Sequence, residues 1–158
     1  MTDPEIVAAL REKARILYEG KLTPHRSCGI ALAETFGRDS RPYQALRRGG
    51  LTGEGTCGAI VAGQLLLGEL LGDPDPTGPP TQALRDAMVA YRAEVARRVN
   101  TGGARTQICN DLTGRFPVFQ SEERLAFCTD IATTVAEIVA EVALAHGAKL
   151  EPTPIAGL

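Results

Sequence analysis

Apolar residues recur at helical spacing along most of the chain. Ile6, Leu10, Ala14 and Leu17 make a first stripe, the rhythm of one helix face. Thr23 followed by Pro24 reads as an N-cap and a first helical residue. Cys28, Leu32 and Phe36 then recur every fourth position until Gly37 stops that second helix. Residues 38–56 carry Pro42, Gly49, Gly50, Gly53 and Gly55, which predicts a loop with one short helical turn at most. From Cys57 to Leu71 the chain is apolar nearly all round, the mark of a central helix. Its Gly58, Ala59, Ala62 and Gly63 leave room for a neighbouring backbone to come close.

The run Gly72 to Pro80, GDPDPTGPP, cannot be helical and predicts a surface connection. Leu84, Ala87, Met88, Tyr91, Val95 and Val99 stripe a long helix that Asn100 to Gly103 ends. Ile108, Cys109 and Leu112 predict a short helix closed by Gly114. Ser121, followed by Glu122 and Glu123, starts the last helix with a capping hydroxyl and acids at the positive end of the dipole. Leu125, Cys128, Ala132, Val135, Val139 and Val142 give its buried face, which runs to Gly147. The expectation is an all-α fold, a compact bundle of five or six helices around a buried central glycine and cysteine helix. Residues 1–147 read as one helical domain and 148–158 as a loose C-terminal tail.

Composition narrows the function classes. The chain has 158 residues, 44% of them apolar and 23% charged, an ordinary balance for one globular domain. The net charge is −2, so the basic surplus of a nucleic-acid binder is missing. There is no Trp, and only 3 Tyr and 4 Phe, which disfavours base-stacking platforms. The stretch Cys57 to Gly72 contains Gln64 and Glu69 and reads as a buried helix, not a membrane span. The first residues are acidic and include Pro4, unlike a signal peptide. These features predict a cytoplasmic protein with no nucleic-acid or membrane partner. An apolar helical face is compatible with a homodimer.

In a reducing compartment, structural disulfides are rare, so the four cysteines carry the functional question. They are Cys28, Cys57, Cys109 and Cys128, dispersed and without a CxxC pair. Zinc ribbons need ligand knuckles at short spacing, whereas dispersed cysteines can still converge inside a helical bundle. Cys57 stands where the glycine-rich GGLTGEGTCG turns into an apolar helix. A helix N-terminus favours a thiolate there, which makes Cys57 the candidate attacking group, with Cys28 or Cys109 as resolving partner. The plain alternative is that each cysteine packs as a small apolar residue.

His25 precedes Cys28 by one helical step, so an imidazole could face that thiol; as a first-turn surface residue it would do nothing. Arg47 and Arg48 lie just before the glycine loop, either as a solvated face or as positive potential for the Cys57 thiolate. Gly53, Gly55 and Gly58 match GxGxxG, but the polar RPYQALRRGG before them is no strand, and a dinucleotide fingerprint requires one. Gly55 and Gly58 stay as candidates for cradling an anionic group at the helix start.

The order of features resembles the family of redox-active proteins named for the pattern C…GCAxxG…C…C. GEGTCGAIVAGQLLLGELLG, Gly53 to Gly72, is similar to the family's glycine–cysteine helix. Cys28 in HRSCGIALAETFG, Cys109 in QICNDLTG and Cys128 in RLAFCTDIATTVAEIV resemble the first, third and fourth cysteines. The resemblance spans about residues 25–145. It departs from the pattern at Thr56 before Cys57, and at Gly58 and Ala59 after it. It implies a small helical protein with a redox or metal-linked cysteine cluster.

The leading expectation is thiol–disulfide chemistry on a small-molecule or protein thiol substrate. A second is metal binding, with Cys28, Cys57, Cys109 and Cys128 as ligands of an iron–sulfur cluster or another thiolate-bound metal. A cysteine-dependent small-molecule enzyme, or a helical interaction module with core cysteines, completes the set.

Overall fold

The computed structural model describes all 158 residues and contains six α-helices with one 3-10 turn between the second and third. They are α1 (Asp3–Glu19), α2 (Cys28–Thr35), the turn Arg41–Leu46, α3 (Gly58–Leu71), α4 (Gln82–Arg98), α5 (Cys109–Thr113) and α6 (Glu122–Ala145). The all-α bundle expected from the periodicity is what forms. No helix is long and apolar enough to cross a membrane.

Local chemistry explains the helix ends. Thr2 and Glu5 make a reciprocal capping box at the start of α1, with the Thr2 amide donating to Glu5 Oε2 at 2.7 Å. Gly20, at φ +75°, closes that helix in the left-handed conformation. Thr81 joins two helices: its hydroxyl donates to the Leu71 carbonyl at 2.5 Å and accepts from the Leu84 amide at 3.1 Å. The Pro-rich run between α3 and α4 is thus pinned at its far end. Ser121 caps α6 by accepting from the Arg124 amide at 3.2 Å.

The core is built on two helices. α3 is buried as its composition predicts, with Ala59, Ala62, Leu66 and Leu67 fully inside. It shares the centre with α6, against which α1, α2, α3 and α4 all pack. Ile131, Val135, Ile138 and Val139 form the spine of that second helix. Burying such aliphatic side chains stabilises the fold by about 1.5–3 kcal/mol each. The small residues of α3 receive different neighbours. At Gly58 a Cβ would stand 2.2 Å from the Leu46 carbonyl oxygen, whereas at Gly63 it would meet the Tyr91 hydroxyl at 2.2 Å. That hydroxyl donates to the Ile60 carbonyl at 2.6 Å.

Two expectations are corrected. Thr23 and Pro24 do not start α2, which begins at Cys28 after Ser27. Instead, the Arg26 amide donates to Leu17 O at 2.8 Å and the His25 ring pairs with the Tyr18 carbonyl. Those bonds to the end of α1 hold residues 21–27 outside any helix. The C-terminal tail is not loose either. Leu150 and Ile155 pack on the core, and Lys13 Nζ donates to Thr153 Oγ1 at 2.9 Å.

Candidate functional site

All four cysteines line one cavity of about 260 Å³. Each comes from a different element. Cys28 is the first residue of α2, Cys57 is the N-cap of α3, Cys109 is the first residue of α5, and Cys128 lies in the second turn of α6. All four are free thiols. A larger open groove of about 1100 Å³ lies between α1 and α6, but its walls hold no cysteine.

The glycine loop is what joins Cys57 to Cys109. Residues 53–57 run alongside 107–110. The Cys57 amide donates to Gln107 O at 2.8 Å, the Cys109 amide to Gly55 O at 3.0 Å, and the Asn110 amide to Gly53 O at 2.9 Å. Thr56 and Ile108 form a single antiparallel bridge. The glycines permit this approach. A Cβ on Gly49 would stand 2.5 Å from the Gly55 carbonyl and 2.6 Å from Cys109 Cβ, and one on Gly55 would stand 2.6 Å from the Gly49 carbonyl. Gly55 and Gly58, candidates for cradling a cofactor, are therefore accounted for by packing, with Gly58 also forming part of the cavity wall.

The thiols group as an inner pair, Cys28 with the buried Cys57, and an outer pair, Cys109 with Cys128, which stands beside Arg48 and Arg124. Cys57 is 9% exposed. Its expected low pKa is not found. Burial pushes the thiol up to about 12, and the amides of Ile60 and Ala59 at the helix start only moderate that rise. Removing a thiolate from water costs more here than two N–H groups return. Burial likewise raises the Cys28 thiol, against hydrogen bonds from the Gly29 and Arg48 amides. Cys28 Sγ sits 3.9 Å from the Leu46 carbonyl oxygen, which accepts from it. Cys28, Cys109 and Cys128 are all half-buried, and Cys57 alone is buried. Burial raises the Cys109 thiol too, opposed by its hydrogen bond with Thr113 and by Arg48 and Arg124. Among the other thiols, Cys57 feels Cys28 most strongly, and Cys109 feels Cys128.

The expected positions of His25, Arg47 and Arg48 have mixed outcomes. His25 lines the cavity, yet it does not share a helix face with Cys28, because α2 begins after it. Its ring meets Tyr18 edge-on at 4.9 Å. Arg47 and Arg48 both reach the cavity. Arg47 Nε donates to Ser27 Oγ at 3.2 Å.

Sequence reasoning missed Tyr18, Phe119 and Arg124. Arg124 is 6% exposed, donates through Nε to Phe119 O at 2.6 Å and through Nη1 to the Tyr18 hydroxyl at 3.1 Å, and lies beside Cys128. The signal was there: Arg124 and Cys128 are four apart on α6, and such residues share a face. Next to Glu122 and Glu123, the arginine reads as surface.

No three His, Cys, Asp or Glu side chains are gathered closely enough to hold a metal ion. The sulfurs surround a space without converging on a point. The chain matches no family model, no curated protein and no solved structure, so the site is read from its own residues.

Proposed function

We propose that the protein carries out thiol–disulfide exchange in the four-cysteine cavity. The observation that supports this reading is the convergence of four free thiols from four separate elements on one space. The outer pair acts first. Cys128 is the attacking group, because the Arg124 guanidinium lies beside it and positive charge beside a sulfur supports the anion that attacks. Its thiolate attacks one sulfur of a substrate disulfide. The substrate S–S bond breaks, a mixed disulfide forms, and one substrate thiolate leaves. Cys109 then loses its proton to solvent and attacks the Cys128 sulfur, which releases the second substrate thiolate. Two electrons pass from the protein dithiol to the substrate, and the leaving thiolates take up the protons that the two cysteines gave. An external dithiol restores the reduced protein, as the reducing cytoplasm would supply. Cys28 and Cys57 form the inner pair behind this exchange, and the C…GCAxxG…C…C resemblance implies a redox or metal-linked cysteine cluster, of which this is the redox form.

Peptide mapping by mass spectrometry after stoichiometric oxidation of the reduced protein tests this. A Cys109–Cys128 bond is expected as the first product. Four thiols that form no intramolecular bond and stay unreactive until denaturation would refute it. So would stoichiometric metal on anaerobically purified protein with all four thiols shielded.

A further inference from the structure

The charge around the cavity is unlike that of the rest of the molecule. Acidic residues outnumber Lys and Arg, 19 to 17. The 17 residues that line the cavity nevertheless include Arg47, Arg48 and Arg124 and no Asp or Glu. Elsewhere several arginines find carboxylates: Arg15 has Glu12 and Glu19, Arg26 has Glu34, and Arg98 has Glu94, Glu137 and Glu141, whereas Arg85, Arg92, Arg105 and Arg115 have none. None of the three cavity arginines has one.

Arg124 makes the imbalance costly. It is 6% exposed, and its Nε and Nη1 donate to a carbonyl and a phenol. Those bonds leave donor capacity on the guanidinium and no counter-charge, and a buried charge without a counter-charge is expensive. Arg48, which is exposed, adds further positive charge. Its guanidinium lies 4.6 Å from the centre of the Phe119 ring, and that of Arg124 lies 4.2 Å from the same ring. Two cations thus share one aromatic ring at the cavity. A single thiolate could offset one of them, leaving the rest of the positive charge for a ligand.

Resting on the thiol-exchange reading above, we propose that the cavity recognises a small thiol or disulfide that carries a carboxylate or similar oxyanion close to its sulfur, held by Arg48 and Arg124. The planar fork of a guanidinium suits a two-oxygen anion. A volume of about 260 Å³ suits a group of a few heavy atoms more than a large ligand. Seating the anion at the arginines would bring its sulfur to Cys128, the thiol that Arg124 lies beside.

Two measurements on the reduced full-length protein test this. The first is an NMR titration with (methylthio)acetate, a carboxylate thioether that cannot exchange, against neutral (methylthio)acetamide. Saturable binding of the carboxylate alone is expected, weakened about tenfold by added salt or by Arg48→Asn. Arg48 is exposed and its backbone is at φ +47°, a conformation that Asn tolerates, so the variant keeps the fold. The second compares exchange rates with anionic dithiobis(nitrobenzoate) and neutral dipyridyl disulfide, each normalised to mercaptoethanol. A preference of about tenfold for the anion, lost in Arg48→Asn, is expected. Equal normalised rates together with no carboxylate binding overturn the inference and leave thiol exchange standing. Carboxylate binding without exchange by either reagent overturns thiol exchange and leaves the anion site.

Discussion

The sulfur of Cys28 lies so close over Gly58 that a Cβ on the glycine would meet it at 2.7 Å, with the Leu46 carbonyl oxygen at 2.2 Å. The glycine after Cys57 is thus a spacing device between the two inner thiols. Replacing it by alanine brings opposing effects. Stiffening the unfolded chain favours Gly58→Ala by about 0.4–1 kcal/mol. Overpacking costs about 1–3 kcal/mol, and here the upper part of that range applies, because the obstructing atom is backbone and cannot swing aside. The expected result is a loss of about 1–2 kcal/mol in chemical denaturation, with faster labelling of the displaced Cys28. Unchanged stability would mean that α2 and the 3-10 turn give way easily.

Stability should fall in alkali, and the sign follows from the inner thiols. Burial pushes Cys57 from an ordinary 9.0 up to about 12. Above the ordinary value the unfolded chain has released a proton that the folded chain still holds. The stability tied to this proton is complete below about pH 9 and is lost as the pH rises toward 12. Within that window the slope is about 1.4 kcal/mol per pH unit for each such thiol. Cys28 and Cys109 shift in the same direction, and burial raises the Tyr18 and Tyr91 phenols as well. Denaturant midpoints measured stepwise through the alkaline range check the slope, and Cys57→Ala should make it shallower. A flat profile in the parent protein contradicts the buried, protonated Cys57.

The helices could be read from the chain because their signals are local. The all-round apolar run of α3, the stripe of α4 and the Ser121 cap of α6 each sit within a few turns of sequence. Failures came where distant residues intervene. Thr23 and Pro24 look like a helix start, but the Leu17 and Tyr18 carbonyls engage Arg26 and His25 first. The convergence of the cysteines was an expectation that no spacing could establish, because it depends on residues 53–57 pairing with 107–110. The helix start at Cys57 correctly suggested stabilising amides. What sequence could not weigh was desolvation, which reverses the outcome. Arg124 illustrates the opposite case, a residue whose i, i+4 relation to Cys128 was visible and whose burial was not.

Leu51 offers a test of the glycine loop away from the chemistry. It is 64% exposed, and its backbone is left-handed at φ +72°. A branched side chain pays about 1–2 kcal/mol for that conformation, while Asn adopts it more readily. Little apolar contact is lost because the side chain faces water. Leu51→Asn is expected to gain about 0.5–1 kcal/mol and raise the melting temperature, with the reactivity of the four thiols unchanged. A loss of stability would show that Leu51 holds the loop through contacts that outweigh its strain.

The order in which the thiols react separates the cavity from a set of independent core cysteines. Cys57 is buried while the other three thiols are half-buried, and of those three Cys109 and Cys128 stand beside Arg48 and Arg124. Timed alkylation of the native protein, read by peptide mass, should modify the outer pair first and Cys57 last. Raising the pH should accelerate Cys57 throughout the alkaline range, because its thiol is held protonated well above the ordinary value. If all four thiols instead react at one common rate that follows global unfolding, the outer pair has no access of its own and exchange at Cys128 cannot be the function.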